Sequence, residues 1–267
     1  MNIYCCQLDI AWEDKAANYR KVERLLAHAR PQGDSLVLLP EMFATGFSMN
    51  VAEIAEDGGD GPTVQFLSRQ AAALGVYIVG GFATHGDDGM GRNVLAVFCP
   101  DGKRVADYQK IHPFSVGDEH RHYVGGERVC TFEWACSGSG TGTTVSPFIC
   151  YDLRFPEIFR QGARAGAEVI TLIANWPQAR IEHWVTLLRA RAIENQAYVA
   201  GVNRCGTDPK LVYTGRSIIV DPQGNVLADA GADERVITAS IDVTALREYR
   251  RRFPFLADMR PSFLGGT

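Results

Sequence analysis

Short apolar runs alternate with amphipathic helical stretches almost from end to end of this chain, and that alternation restricts the fold more than any other feature. Residues 3–8 form an apolar run of strand length, and over 16–30 Val22, Leu25, Leu26 and Ala29 recur at helical spacing. Pro31, Gln32, Gly33 and Asp34 stop that helix, and 35–39 reads as a buried strand. Residues 62–74 read as a helix opened by a proline, whose missing N–H is harmless in a first turn, and 76–82 as a strand. Segments 93–99 and 103–108 flank Pro100-Asp101-Gly102, a hairpin turn in which the glycine can take positive φ.

The second half rhymes with the first. Strands are expected at 145–150, 169–174, 198–202 and 235–241, and helices at 157–165 and 243–252. Residues 180–196 make the strongest helical pattern, with Ile181, Trp184, Val185, Leu188, Ala192 and Ile193 on one face. Segments 215–221 and 225–228 flank Pro222-Gln223-Gly224, a second hairpin turn of the same chemistry as the first. Buried strands alternating with helices imply an α/β layered fold, and the paired hairpins suggest two related halves. No linker of Ser, Gly and Pro divides the chain; the glycine- and serine-rich patch 137–142 reads as a surface loop. One domain over residues 1–267 is expected.

Composition excludes several functions. The 267 residues are 46% hydrophobic and 22% charged, which rules out disorder as the main state. A formal net charge of −4, with no basic run longer than Arg250-Arg251-Arg252, argues against a nucleic-acid partner. No apolar stretch reaches the roughly 20 residues of a membrane span, and the first residues lack a basic leader, so a cytoplasmic protein with no membrane partner is expected. The seven cysteines (Cys5, Cys6, Cys99, Cys130, Cys136, Cys150, Cys205) form no ligand cluster; they read as reduced thiols, and no metal or cofactor is expected.

Three polar residues follow apolar strands directly: Glu41 after Leu38-Leu39-Pro40, Lys110 after Tyr108-Gln109, and Cys150 after Phe148-Ile149. Sites in α/β sheets gather at carboxyl ends of strands. A thiolate to attack a carbonyl carbon, a carboxylate to move the proton and an ammonium to hold the oxyanion would make a working nucleophilic site. Each residue also has a plain reading: Cys150 as a small buried hydrophobe, Glu41 as a cap, Lys110 as a solvated charge. Spacing alone does not join them.

The segments themselves do. Leu38-Leu39-Pro40-Glu41-Met42-Phe43, Lys110-Ile111-His112-Pro113-Phe114 and Ile149-Cys150-Tyr151-Asp152-Leu153-Arg154-Phe155-Pro156-Glu157 resemble, in order and spacing, the three motifs of the nitrilase superfamily of carbon–nitrogen hydrolases. The similarity extends through Ala174-Asn175-Trp176-Pro177 to the second hairpin, over roughly residues 2–245. This resemblance implies a four-layer αββα sandwich with internal pseudo-two-fold symmetry, and a homodimer with the 180–196 helix near its interface. It implies Cys150 as nucleophile, Glu41 as general base, and Lys110 with the Tyr151 backbone N–H as oxyanion donors. Glu119 is the candidate for a further glutamate that positions substrate, a solvated loop carboxylate being its other reading. His112 is expected to be a structural hydrogen-bonder beside Lys110, and the remaining cysteines structural.

The nucleophile motif Cys150-Tyr151-Asp152-Leu153-Arg154-Phe155-Pro156 looks like the omega-amidase branch, which hydrolyses 2-oxoglutaramate or 2-oxosuccinamate to a dicarboxylate and ammonia. Neighbouring activities on deaminated glutathione or N-carbamoyl compounds, and a catalytically idle binding module on the same scaffold, are the alternatives. A carboxylate-bearing amide needs a fixed cation, for which Arg154 is the candidate unless it pairs with Glu157 or Asp152. Phe43 and Trp176 are expected to wall the substrate pocket.

Overall fold

Strand periodicity decides which residues face which layer. In β1 (Asn2–Gln7), Ile3 and Cys5 enter one core while Tyr4 and Cys6 enter another, and β2 (Leu36–Leu38) divides Leu36 and Leu38 from Val37 in the same way. Both faces of these strands are covered. The computed structural model describes residues 1–136, 140, 142–260 and 262. Of the patch expected to be a surface loop, residues 137–139 and 141 lie outside the described residues, and Gly142 already opens a strand.

The first half runs β1, α1 (Lys15–Ala29), β2, the short α2 (Val51–Ile54), α3 (Pro62–Leu74), β3 (Tyr77–His85), β4 (Gly91–Phe98) and β5 (Arg104–Gln109). The Asp14 side chain caps α1 by accepting the Ala17 N–H at 2.9 Å, and α3 carries its proline in the first turn. The second half runs β6 (Phe132–Ala135), β7 (Gly142–Ile149), α4 (Pro156–Arg164), β8 (Val169–Ala174), α5 (Ile181–Asn195) and β9 (Tyr198–Asn203). There follow β10 (Cys205–Thr207), β11 (Val212–Thr214), β12 (Ile218–Val220), β13 (Val226–Asp229), β14 (Arg235–Ser240) and α6 (Val243–Arg252).

Two mixed sheets of six strands result, in the orders β14-β1-β2-β3-β4-β5 and β6-β7-β8-β9-β12-β13. Directions match position by position. In each sheet three consecutive strands are parallel, an antiparallel edge strand precedes them, and an antiparallel hairpin follows. The hairpins at Gly102 (φ +80°) and Gly224 (φ +85°) are therefore topological equivalents.

The largest core cluster joins Ile3, Leu36, Val79 and Leu95 of the first sheet to Phe148, Leu172 and Val202 of the second. A second cluster lies between the first sheet and helices α1 and α3, where Val22 and Leu26 meet Phe66 and Leu67. Helix α5 covers the second sheet. It buries Trp184, Leu188, Arg191, Ala192 and Asn195, and packs Ile181 and Val185 against the same core, so the expected face holds except at Ile193, which is half-exposed and lies over the Gly224 turn. The helix is seated by its fit to β9, where Leu188 and Trp184 press on Gly201 so closely that a Cβ there would meet them at 2.5 and 2.9 Å. Strands β6, β10 and β11 are additions that the hydrophobic pattern did not announce, being three or four residues long.

Candidate active site

The three expected residues do converge, each delivered by the carboxyl end of a strand. Glu41 lies just beyond β2, Lys110 directly after β5, and Cys150 directly after β7. Asn175 follows β8 and completes the group. Cys150 opens a 3-10 turn, Cys150–Arg154, in the left-handed region at φ +47°, a conformation that a residue with a Cβ holds only when its surroundings dictate it. The dictating group is buried Asp152. It accepts the Ile149 N–H at 3.2 Å, the Tyr108 O–H at 2.7 Å and the His112 N–H at 3.0 Å, with His112 Nδ1 at 2.9 Å. His112 also stacks on Phe155 with ring centroids 3.7 Å apart. The histidine expected to sit structurally beside Lys110 thus ties the lysine loop to the nucleophile turn.

Behind the thiol is a buried ionic cage. Lys110 Nζ donates to Glu41 Oε1 at 2.9 Å and to Glu119 Oε2 at 2.8 Å. Asn93 Nδ2 bridges the same two carboxylates, at 2.7 Å to Glu41 and 2.9 Å to Glu119. The Phe114 N–H donates to Glu119 and the Asn175 N–H to Glu41 Oε2 at 2.8 Å; the Asn175 side chain also donates to the Glu41 carbonyl at 2.6 Å. Glu119 is therefore part of the cage and not a solvated loop carboxylate, and Lys110 is buried rather than solvated. Gly81 of β3 lets the Glu41 turn pack against the sheet: a Cβ there would stand 3.0 Å from both Glu41 Cα and Met42 N.

Charge in this cage follows from burial and neighbours. Burial works against the Lys110 cation, but Glu119 and Glu41 outweigh it and raise its pKa, so the lysine stays charged. Burial lifts the Glu119 carboxyl, with Lys110 opposing and Glu41 adding to the rise. The Cys150 thiol is held well above the ordinary range by burial first and then by the Glu41 charge, with Lys110 pulling the other way. The resting group therefore keeps its proton on sulfur. Burial also pushes Cys6, Cys130 and Cys205 up to about 12, but Cys150 is the thiol hydrogen-bonded to the cage carboxylate.

A pocket opens over Cys150 and encloses about 400 Å³ of empty space, its mouth included. Phe47, Phe114, Tyr151, Trp176, Leu211 and Tyr213 form most of its wall, and Arg154 and Arg180 bring the charge. Arg154 lies over the Trp176 ring at 4.9 Å and places Nη2 3.3 Å from His183 Nδ1. Among the described residues it pairs with neither Glu157 nor Asp152, and the Asp152 oxygens are already engaged. Trp176 stands in the pocket wall as expected, and the Tyr151 ring joins it there. Phe43 does not: its ring is fully buried against Tyr19 and Phe66 between the first sheet and its helices, because the turn after Glu41 directs it into that core. Sequence reasoning gave no role to Asn93, Asn175 or Asp152. Asn175 stands in the Ala174-Asn175-Trp176-Pro177 string and Asp152 in the nucleophile motif, while Asn93 is only the first residue of the expected strand 93–99.

Comparison with known proteins adds an independent line. Residues 3–251 match the family model described as carbon-nitrogen hydrolase. The chain is 36% identical to a 2-oxoglutaramate amidase of Bacillus subtilis, over 97% of both chains. It is 37% identical to omega-amidase YafV of Escherichia coli, over 97% of this chain and 96% of that one. A crystal structure of a CN-hydrolase superfamily protein from Xanthomonas campestris superimposes with a TM-score of 0.90 at 39% identity, covering 99% of each chain.

Proposed function

The chain belongs to the carbon–nitrogen hydrolase family, and we propose that it is an omega-amidase, releasing ammonia from the amide of a small carboxylate-bearing substrate such as 2-oxoglutaramate or 2-oxosuccinamate. The observation that carries this reading is a buried thiol backed by a carboxylate–ammonium cage and faced by a small pocket with two arginines. The names of two relatives similar along nearly their whole length point the same way.

In the proposed cycle Cys150 passes its proton to Glu41 as sulfur attacks the amide carbon. The oxyanion is held by Lys110 and the Tyr151 backbone N–H, donors fixed before the charge develops. Collapse breaks the C–N bond while Glu41 returns the proton to nitrogen; ammonia leaves and an acyl thioester remains. Glu41 then takes a proton from water, the hydroxyl adds to the thioester carbon, and the C–S bond breaks to give the acid and the thiol. Glu119 keeps Lys110 oriented throughout, so the lysine charge need not be shared with solvent. Arg154 receives the substrate carboxylate.

The same proposal includes a four-layer αββα arrangement about a pseudo-two-fold axis, supported by the matching strand orders and directions of the two sheets. A single domain is supported by the core cluster that both sheets share. A cytoplasmic homodimer with α5 near its interface completes it, and sedimentation as a monomer at working concentration would remove that part.

Ammonia release measured on 2-oxoglutaramate, 2-oxosuccinamate, deaminated glutathione, an N-carbamoyl amino acid and a nitrile tests the reading. The highest kcat/KM should fall on one of the two 2-oxo amides. Preference for any of the other three overturns the substrate assignment, and no turnover of any would leave a binding module in its place.

A further inference from the structure

Resting on the omega-amidase reading, we propose that Arg180 is a specificity-determining residue that reads the 2-oxo group of the substrate, while Arg154 reads its carboxylate. Both guanidinium groups line the pocket above Cys150, and among the described residues neither has a carboxylate partner. Other arginines of the described chain spend their guanidinium groups on the fold itself: Arg247 on Glu168, Arg191 on Glu194, and Arg189 and Arg250 on backbone carbonyls. A cation facing a pocket without a counter-charge is a cation held for a ligand.

The two are held from different sides. Arg154 comes from the nucleophile turn and lies on Trp176. Arg180 comes from the residue preceding α5 and lies over the Phe114 ring at 5.4 Å, on the loop that carries Lys110 and Glu119. The Trp176 indole N–H donates to the Arg180 carbonyl at 2.7 Å, which fixes the backbone of one arginine to the ring that supports the other. Both side chains are half-buried, so each can donate toward the pocket without being fully sequestered.

Ligand chemistry distinguishes their roles. One guanidinium fork satisfies the two oxygens of a carboxylate bidentately. A plain monoamide of a dicarboxylic acid presents only those two oxygens at its far end, so one arginine suffices. A 2-oxo acid presents a third acceptor beside the carboxylate, and a second donor from another direction is needed to meet it. A site with two forks free of carboxylate partners therefore fits a 2-oxo acid amide better than the counterpart that lacks the 2-oxygen.

The test compares two substrates that differ only in that oxygen, 2-oxoglutaramate and glutaramate, on wild type, Arg180→Gln and Arg180→Lys. The readout is the ratio of the two kcat/KM values within each protein, in which the fraction of folded enzyme cancels. Loss of a charge-assisted hydrogen bond should lower the ratio about 10–100-fold in Arg180→Gln, and Arg180→Lys should restore part of it. A ratio unchanged within about twofold, with both substrates losing equally or not at all, overturns the assignment of Arg180 and leaves the omega-amidase reading intact. A wild type that prefers uncharged amides to both substrates overturns the omega-amidase reading, and this inference with it.

Discussion

Strand β2 of the first sheet and β8 of the second hold equivalent places in the same strand order, yet the residues beyond them differ in kind. The first half supplies Glu41, Asn93, Lys110 and Glu119, which bond one another in a buried cage. The second half supplies Cys150, Asn175, Trp176, Arg154 and Arg180, which present a thiol and an aromatic, cationic wall. A shared topology thus delivers strand ends to one place, and the two halves divide the work there. On the proposed mechanism, charge that must be the same for every turnover is sealed in one half, and contacts that depend on the substrate come from the other, joined by the Phe47 and Phe114 rings.

Substitutions can break that division, and the largest effect belongs to the second half. Cys150→Ala should abolish ammonia release while leaving the circular dichroism spectrum intact. Mass spectrometry of wild type with a slow substrate should find an acyl adduct on Cys150, and an adduct on another cysteine would overturn the assignment. Next come the cage residues. Lys110→Ala should cost about 10²–10³ in kcat on every substrate alike, the usual loss for one oxyanion donor. It should also lower stability by about 3–5 kcal/mol, because two buried carboxylates lose their cation. Chemical denaturation and kinetics on two substrates check both parts; a loss confined to one substrate would mean that the cage is not insulated from the pocket.

Arg154→Ala sharpens the comparison from the other side. Loss of a charge-assisted contact should lower kcat/KM for 2-oxoglutaramate about 10–100-fold and affect a short uncharged amide much less. Parallel losses on both substrates, with a lowered melting temperature, would instead make Arg154 a support for the nucleophile turn. A smaller effect is expected from Gly81→Ala. Its new Cβ would meet Ile173 Cδ1 at 2.6 Å and the Glu41 backbone at 3.0 Å, so stability should fall by about 1–3 kcal/mol and kcat with it. Unaltered kcat in a destabilised Gly81→Ala protein would show that Glu41 tolerates displacement.

The mildest prediction concerns pH. The Cys150 thiol lies well above the ordinary range through burial and the Glu41 charge, so its proton stays on sulfur through pH 8–9, where a free cysteine ionises. A raised pKa moves the thiolate to higher pH, and kcat/KM should therefore not rise across that interval. On the acid side, Glu119 is lifted by burial, so protonation of the cage should begin above the usual carboxylate range as pH falls. A steady rise in kcat/KM between pH 8 and 9 would mean that a free thiolate, not proton transfer to Glu41, starts the reaction.

Much of this was legible in the sequence. Alternating runs located most of the long strands and the main helices, because a buried strand must be apolar on successive residues and a covering helix only on one face. Three motifs named Glu41, Lys110 and Cys150, and the loosest assignment, Glu119, joined them. What the sequence could not supply was the direction of a side chain after a turn. Phe43, two residues beyond Glu41, enters the helix-side core rather than the pocket, and nothing in the string Glu41-Met42-Phe43 distinguishes those outcomes. The strand-borne Asn93 had no signal stronger than being polar, since its partners Glu41 and Glu119 lie 52 and 26 residues away along the chain. Composition and periodicity determined the layers, since burial of apolar surface is a property of each segment. Only the tertiary structure decided the cage, the exposure of Ile193 and the pairing of Arg154 and Arg180 over one thiol, because each depends on where separate segments meet after packing.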